Sequence, residues 1–289
     1  MGALNGGTPK PGANDHPASL RRPACRSMAI TSGKGGVGKT NIAANLAVAL
    51  ARKNRRVLLV DGDLGLANLD LLLGVMPQYT LLHVVSGEKS LEEIIVPTFA
   101  NVKLVPAASA AEDLANLDDF RRECFLRTLS TVDQDVDLIL LDLGAGIGKN
   151  VTSLALAADE IVIVTTPEPT SVSQAYAMMK VLAAHRGVPD FKIVVNMADS
   201  ASQAQQVYER ICKVSGQFLK FAPENWGYIE NDPAVKRAVM NHEPFLVASP
   251  RSEAACAIER LSQRVLDIEP GPKNGLNEWL DRLKEAQAG

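Results

Sequence analysis

The stretch TSGKGGVGKT, residues 31–40, follows the apolar run MAI and leads into the Ala-rich NIAANLAVAL. An apolar strand that runs straight into a glycine-rich turn and then a helix is the setting a phosphate-binding loop requires. Gly33, Gly35, Gly36 and Gly38 let main-chain N–H groups converge on an anion, and the helix start adds a favourable dipole. The spacing reads GxxxxGKT, which assigns Lys39 to the β- and γ-phosphates of a nucleotide and the Thr40 hydroxyl to Mg2+. Together with Val37, these residues are the expected cradle. One residue is surplus to that scheme: Lys34 places a second cation where a tight turn favours small side chains.

Working outward, aliphatic runs alternate with helical patterns. The runs are RVLLVDGD (56–63), VKLVPA (102–107), DLILLDLG (137–144), EIVIVTTP (160–167) and FKIVVNMAD (191–199), with a late strand at NWGYIEN (225–231). Helices are expected at 39–52, 117–132, 150–157, 170–185, 201–215, 233–241 and 251–266. Continuous apolar strands are buried on both faces, as in parallel sheets covered by helices. The pattern predicts an α/β fold, a doubly wound and mostly parallel sheet, over residues 27–266. Residues 1–26, rich in Gly, Pro and Asn, read as a flexible arm. DIEPGPKNG (267–275) reads as a linker, followed by a last helix over 276–289.

Three acids fall at strand ends: Asp61 and Asp63 on one strand, Asp142 on another. Carboxylates at the C-terminal ends of parallel strands face the crevice where such sheets bind ligands. Asp142, after LILL, has the form of an acid that holds Mg2+. The four cysteines and four histidines of this 289-residue chain show no ligand spacing, and no apolar run is long enough to span a membrane. The formal charge of −3 and pI near 5.9 give no global attraction to nucleic acid, so DNA binding is not expected. NMAD (196–199) imitates the guanine-reading pattern NKxD, but Met197 replaces the lysine and adenine remains the expected base.

The segment SGKGGVGKTNIAANLAVALARKNRRVLLVDGDLGLANLDLLLG resembles the deviant-Walker-A ATPases of the MinD/ParA family. LDLGAGIG, VTTPEPTSVSQAYAMMK, NMADS and DPAVKRAV extend the similarity over nearly the whole core. The TPEPTS…AYAMMK stretch is most similar to the flagellar branch, called FlhG or FleN. The resemblance implies a P-loop NTPase fold of the SIMIBI type, ATP and Mg2+ as cofactors, and an ATP-bound homodimer. It matches Lys34 to a lysine that reaches the partner's phosphates, Asp63 to the catalytic acid that orients water, and Asp61 to the acid nearer the metal. It matches Gly144, Ala145 and Gly146 to a switch that senses the γ-phosphate, and Asn196 and Glu230 to the adenine site. Leu143 stands where relatives carry Thr or Ser, and Glu230 where they show proline.

In the arm, DHPASLR resembles a degenerate flagellar motif through Asp15, Leu20 and Arg21. It implies a signal-recognition-particle-type GTPase related to FlhF as partner, alongside flagellar basal-body proteins. At the other end Leu276, Trp279, Leu280 and Leu283 fall on one helical stripe, similar to the membrane-targeting helix of MinD-like proteins. The expectation is a cytoplasmic ATPase that binds the inner face of the cell membrane reversibly and regulates flagellar number or placement. The alternatives are a ParA-type partitioning or other cargo-positioning ATPase, an iron–sulfur carrier (which lacks the required cysteines here), and a scaffold that binds ATP without hydrolysis.

Overall fold

The computed structural model describes residues 25–64, 67–107, 128, 136–186 and 191–268. Its eight strands are β1 (Arg26–Ser32), β2 (Val57–Gly62), β3 (Val96–Pro97), β4 (Lys103–Val105), β5 (Leu138–Ala145), β6 (Glu160–Thr165), β7 (Phe191–Ala198) and β8 (Glu224–Glu230). They form one sheet in the order β3-β4-β2-β5-β1-β6-β7-β8. Every neighbouring pair is parallel except β3 with β4. The helices are α1 (Lys39–Arg52), α2 (Leu69–Leu72), α3 (Leu81–Val85), α4 (Leu91–Ile94), α5 (Lys149–Ala157), α6 (Pro169–Arg186), α7 (Ala201–Phe218), α8 (Pro233–Met240), α9 (Phe245–Ala248) and α10 (Glu253–Asp267).

Successive residues of a strand point to opposite faces, and two cores follow from that alternation. Ala29, Leu58, Val60, Ile139, Leu141, Ile163 and Ile193 face a layer with α5, α6 and α7. Met28, Ile30, Leu59, Leu140, Val162 and Val194 face a layer with α1 and α10. The uninterrupted apolar runs thus fill both layers, as the sequence predicts for a doubly wound sheet. Helix α1 lies flat between the sheet and α10 because its alanines at 43, 44, 47 and 49 are all fully buried and leave room for close approach. Within it the fully buried Asn45 accepts from the Leu246 amide at 2.8 Å and donates to the Asn41 carbonyl at 2.7 Å, which ties α1 to α9.

Several boundaries differ from the sequence expectation. Strand β1 takes in Arg26, the last residue read as flexible arm. Its guanidinium pairs with Glu160 and donates to the carbonyls of Val265 and Ile268, which fixes it in the fold. Helix α10 likewise includes Asp267, the first residue of the expected linker. The segment after β2 holds three short helices and the antiparallel β3, none of which has an aliphatic run long enough to mark it. The helix expected at 117–132 lies outside the described residues except for residue 128. The arm with Asp15, Leu20 and Arg21, and the stripe of Leu276, Trp279, Leu280 and Leu283, lie outside them entirely. Among the described residues, no helix is long and apolar enough to cross a membrane.

Candidate nucleotide site

Strand β1 is flanked by β5 on one side and β6 on the other. The chain order reverses there, and such a switch point is where open α/β sheets bind ligands. The loop Gly33–Gly38 leaves β1 at this crevice. Gly38 takes a left-handed φ of 91° and hands the chain to α1, with its carbonyl accepting from the Ile42 amide at 3.1 Å. The loop is held from both sides. A Cβ on Gly33 would fall 2.2 Å from the Gln174 carbonyl oxygen of α6. On the other flank the Asn196 side-chain amide donates to the Val37 carbonyl at 2.7 Å.

The loop borders a cavity of about 860 Å³ that also reaches Asp63, Gly144, Ala145, Met197 and His242. The two lysines of the loop part company here. Lys39 lines the cavity and is 7 % exposed. Lys34 does not line it; its ammonium is on the outer surface in an ion pair with Glu168, the two side chains being 34 % and 62 % exposed. That pair is what holds the Glu168 carboxyl below the usual range. Its main chain is set by Ser32, whose hydroxyl donates to the Lys34 carbonyl at 2.6 Å.

Asp61 and Asp142 stand directly opposite each other on β2 and β5, each 1 % exposed. Asp61 accepts main-chain N–H bonds from Asp63, Asn68 and Leu69, all at 3.2 Å. Burial nevertheless raises its carboxyl well above the usual range, and the nearby Asp63 charge adds to this. Burial raises Asp142 as well, and the charge of Asp61 pushes it further, against a hydrogen bond from Thr40 and the field of Lys39. The Asp142 Oδ1 atom is buried with no hydrogen-bond partner. A buried acceptor lacking a donor, beside a second carboxylate and a hydroxyl, suits a hard divalent cation with oxygen ligands. Among the described residues no three His, Cys, Asp or Glu side chains gather into a metal cage.

The candidates at the end of β5 and just past it follow from the strand's alternation. Leu143, the departure noted in the sequence, is fully buried and packs over Gly62, so it points into the core. Gly144 lies against the Asp63 carboxylate: a Cβ there would be 3.2 Å from its Oδ1. Gly146 takes a φ of 91° and its amide donates to the Ser32 carbonyl at 2.9 Å, joining this turn to the start of the loop. Asn196 and Glu230, expected at the adenine, do not line the cavity. Asn196 props the loop from behind, and Glu230 ends β8, half-buried, opposite Ala198. Met197 lines it instead, with a left-handed φ of 56°.

Sequence reasoning did not find Gln174, Glu168 or His242. Glu168 lies 134 residues from Lys34, and no periodicity joins them. His242 holds the Leu71 carbonyl at 2.9 Å and so bridges α2 and the end of α8 at the far rim. A histidine after VKRAVMN carries no motif that would announce this.

Residues 25–188 match the family model described as an AAA domain. The antiactivator FleN of Pseudomonas aeruginosa is 37 % identical over 263 residues, covering 90 % of this chain and 94 % of FleN. The flagellum site-determining protein YlxH of Helicobacter pylori is 35 % identical, covering 89 % of this chain and 88 % of its own. Among solved structures, the septum site-determining protein MinD of Pyrococcus horikoshii, complexed with Mg-ADP, superposes with a TM-score of 0.72. It is 30 % identical and covers 84 % of this chain and 96 % of its own.

Proposed function

The chain belongs to the MinD/ParA family of P-loop ATPases, with flagellar regulators among its relatives, and from that premise we propose an ATP-driven switch that regulates flagellar number or placement. In this reading the loop binds ATP, two copies close across facing loops, and hydrolysis returns the monomer. The C-terminal stripe of Leu276, Trp279, Leu280 and Leu283 holds the dimer reversibly at the inner face of the cell membrane. Two weakly inserting helices acting together hold far better than one. The arm residues Asp15, Leu20 and Arg21 contact a signal-recognition-particle-type GTPase related to FlhF.

Within one subunit the glycine amides and Lys39 bind the phosphates. Thr40, Asp142 and Asp61 would hold Mg2+, which when bound offsets the charge of the phosphate oxygens. Asp63 lines the same cavity with Gly144 packed against it, and in this reading it orients the attacking water. Lys34 supplies its charge to the partner's phosphates, and the two lysines together lower the barrier by electrostatic stabilisation.

The observation that carries the reading is the divergence of those lysines: Lys39 enters its own cavity, whereas Lys34 stays outside it on an exposed surface. Light scattering with Mg-ATP tests this. The Asp63→Ala chain, slow to hydrolyse, is expected to run as a dimer, and the Lys34→Ala/Asp63→Ala chain to bind ATP as a monomer. A dimer that persists without Lys34 removes the proposed role.

A further inference from the structure

The chain carries a second cavity, of about 490 Å³, between the α1–β2 turn and the turn at Phe99–Asn101. It lies at the opposite end of the sheet from the nucleotide site. Its floor includes Val57 and its rim Lys103, both at strand beginnings, while the phosphate loop leaves a strand end. The sequence feature behind it is RKNRR (52–56), a basic cluster that the acidic total charge conceals.

The cations of that cluster divide by task. Arg52 donates to the Leu246 carbonyl, and Lys53 bonds Ser262 and pairs with Glu259, so both fasten α1 to α9 and α10. Arg55 and Arg56 line the cavity, joined from 47 positions later by Lys103 on β4. Among the described residues, the acid facing them is Asp137. It takes Arg56 in a forked pair, 2.6 Å from Nη2 and 3.3 Å from Nε, and accepts the Arg56 amide at 2.8 Å. The Arg56 side chain holds that carboxyl below the usual range, with the Arg55 charge contributing. Among the described residues, Arg55, Arg56 and Lys103 bring three cations to this cavity. The forked pair fixes the Arg56 guanidinium plane and engages its Nε and Nη2 donors, so it shapes the wall beside Arg55 and Lys103. The amides of Lys53, Asn54 and Arg55 close on the carbonyls of Leu50 and Ala51, so the negative end of α1 is capped here.

Backbone conformation marks the same place. Six non-glycine residues among those described have a left-handed φ: Asn54, Ala100, Asn101, Met197, Lys220 and His242. Met197 and His242 line the nucleotide cavity, and Asn54, Ala100 and Asn101 line this one. Ala100, at φ 54°, has no side-chain hydrogen bond to offset the cost of about 1–2 kcal/mol. Strain of this kind persists where the surroundings impose it, and it gathers at ligand sites. The volume falls within the range of small-ligand sites, roughly 300–1,000 Å³.

We propose that this cavity is a second anion site, in which Arg55 and Lys103 take a phosphate-bearing ligand beside the Arg56–Asp137 pair, either a soluble phosphate ester or the headgroup of an acidic phospholipid. The site goes beyond the nucleotide switch and does not depend on it. The test uses the full chain with Mg-ADP in saturating amount, which occupies the first site and keeps the chain out of the ATP-bound state. Calorimetry with glycerol 1-phosphate reads the soluble source. Sedimentation with phosphatidylglycerol vesicles, against phosphatidylcholine vesicles, reads the lipid source.

The Arg55→Ser/Lys103→Ser chain leaves the Arg56–Asp137 pair in place. It is expected to lose at least tenfold in affinity for whichever probe the wild type binds, with affinity for Mg-ADP changed less than twofold. The Arg210→Ser/Lys213→Ser chain removes two exposed cations from α7 and is expected to bind like wild type. The proposal is overturned if the wild type binds neither probe, if both double variants lose binding equally, or if only duplex DNA responds to Arg55 and Lys103.

Discussion

The close approach of Gly33 to α6 yields a quantitative prediction for Gly33→Ala. The added methyl would lie 2.2 Å from the Gln174 carbonyl oxygen, 2.3 Å from its carbonyl carbon and 2.7 Å from its Cβ. Two of those atoms are main chain, so no change of rotamer relieves the contact. Helix α6 or the loop must withdraw by about 1 Å to restore ordinary van der Waals separation. Overpacking of this kind costs about 1–3 kcal/mol, and a main-chain obstacle puts Gly33→Ala at about 2–3. At roughly 2–4 °C per kcal/mol, the ligand-free protein should melt about 4–12 °C lower. Gly35→Ala is the matched control. Its methyl would find nothing nearer than the Ala145 Cβ at 4.0 Å, and the position needs no left-handed φ. It should therefore melt within about 2 °C of wild type, yet lose at least tenfold in nucleotide affinity because it narrows the cavity it lines. Calorimetric melting, followed by titration with a fluorescent nucleotide, separates the two effects. If Gly33→Ala melts like wild type, or if Gly35→Ala is the less stable of the two, the reasoning fails.

Other positions give shorter tests. Asp142→Asn removes a desolvated carboxyl that Asp61 opposes, so the ligand-free protein should melt higher while Mg2+ no longer tightens nucleotide binding. An unchanged or lower melting temperature without ligand would contradict the account of the acid pair. Asn45→Ala strands the buried Leu246 amide and should cost about 1–3 kcal/mol in urea unfolding, with nucleotide affinity unchanged; a loss under 0.5 kcal/mol would show that α1 and α9 are held otherwise. Deleting residues 276–289 should abolish ATP-dependent sedimentation with vesicles but leave ATP turnover without lipid intact. If the full chain never sediments with ATP, the tether is refuted.

What could be read from the sequence was what depends on neighbours along the chain. The loop spacing places Lys39 and Thr40, and the helix at 39–52 begins and ends where its pattern does. Buried runs end in Asp61 and Asp142 because strands in this fold end at the ligand crevice. What stayed hidden depends on how distant segments meet. The register that sets Asp61 opposite Asp142 joins residues 81 positions apart in the chain. The Glu168 partner of Lys34 comes from the β6–α6 connection and the Gln174 main chain beneath Gly33 from α6 itself, where the TPEPTS signature speaks of kinship and not of contact. Asn196 reads as a base ligand by analogy, yet here it braces the loop, because a side chain's direction follows from the local backbone and not from the motif. The basic cavity escaped notice for a simpler reason: averaging charge over the whole chain erased a cluster five residues long.

The facing acids have a consequence for how long the protein lasts in a cell. With no cation between them, Asp61 and Asp142 are a repulsive, dehydrated pair built into the middle of the sheet. A ligand that binds only the folded chain adds RT ln(1 + [L]/Kd) to its stability, about 2.7 kcal/mol at a hundredfold excess over Kd. Occupancy of the site thus sets the fraction of molecules open to proteolysis at any moment. When occupancy of the site by ATP and ADP alike falls, the abundance of this protein should fall along with its activity.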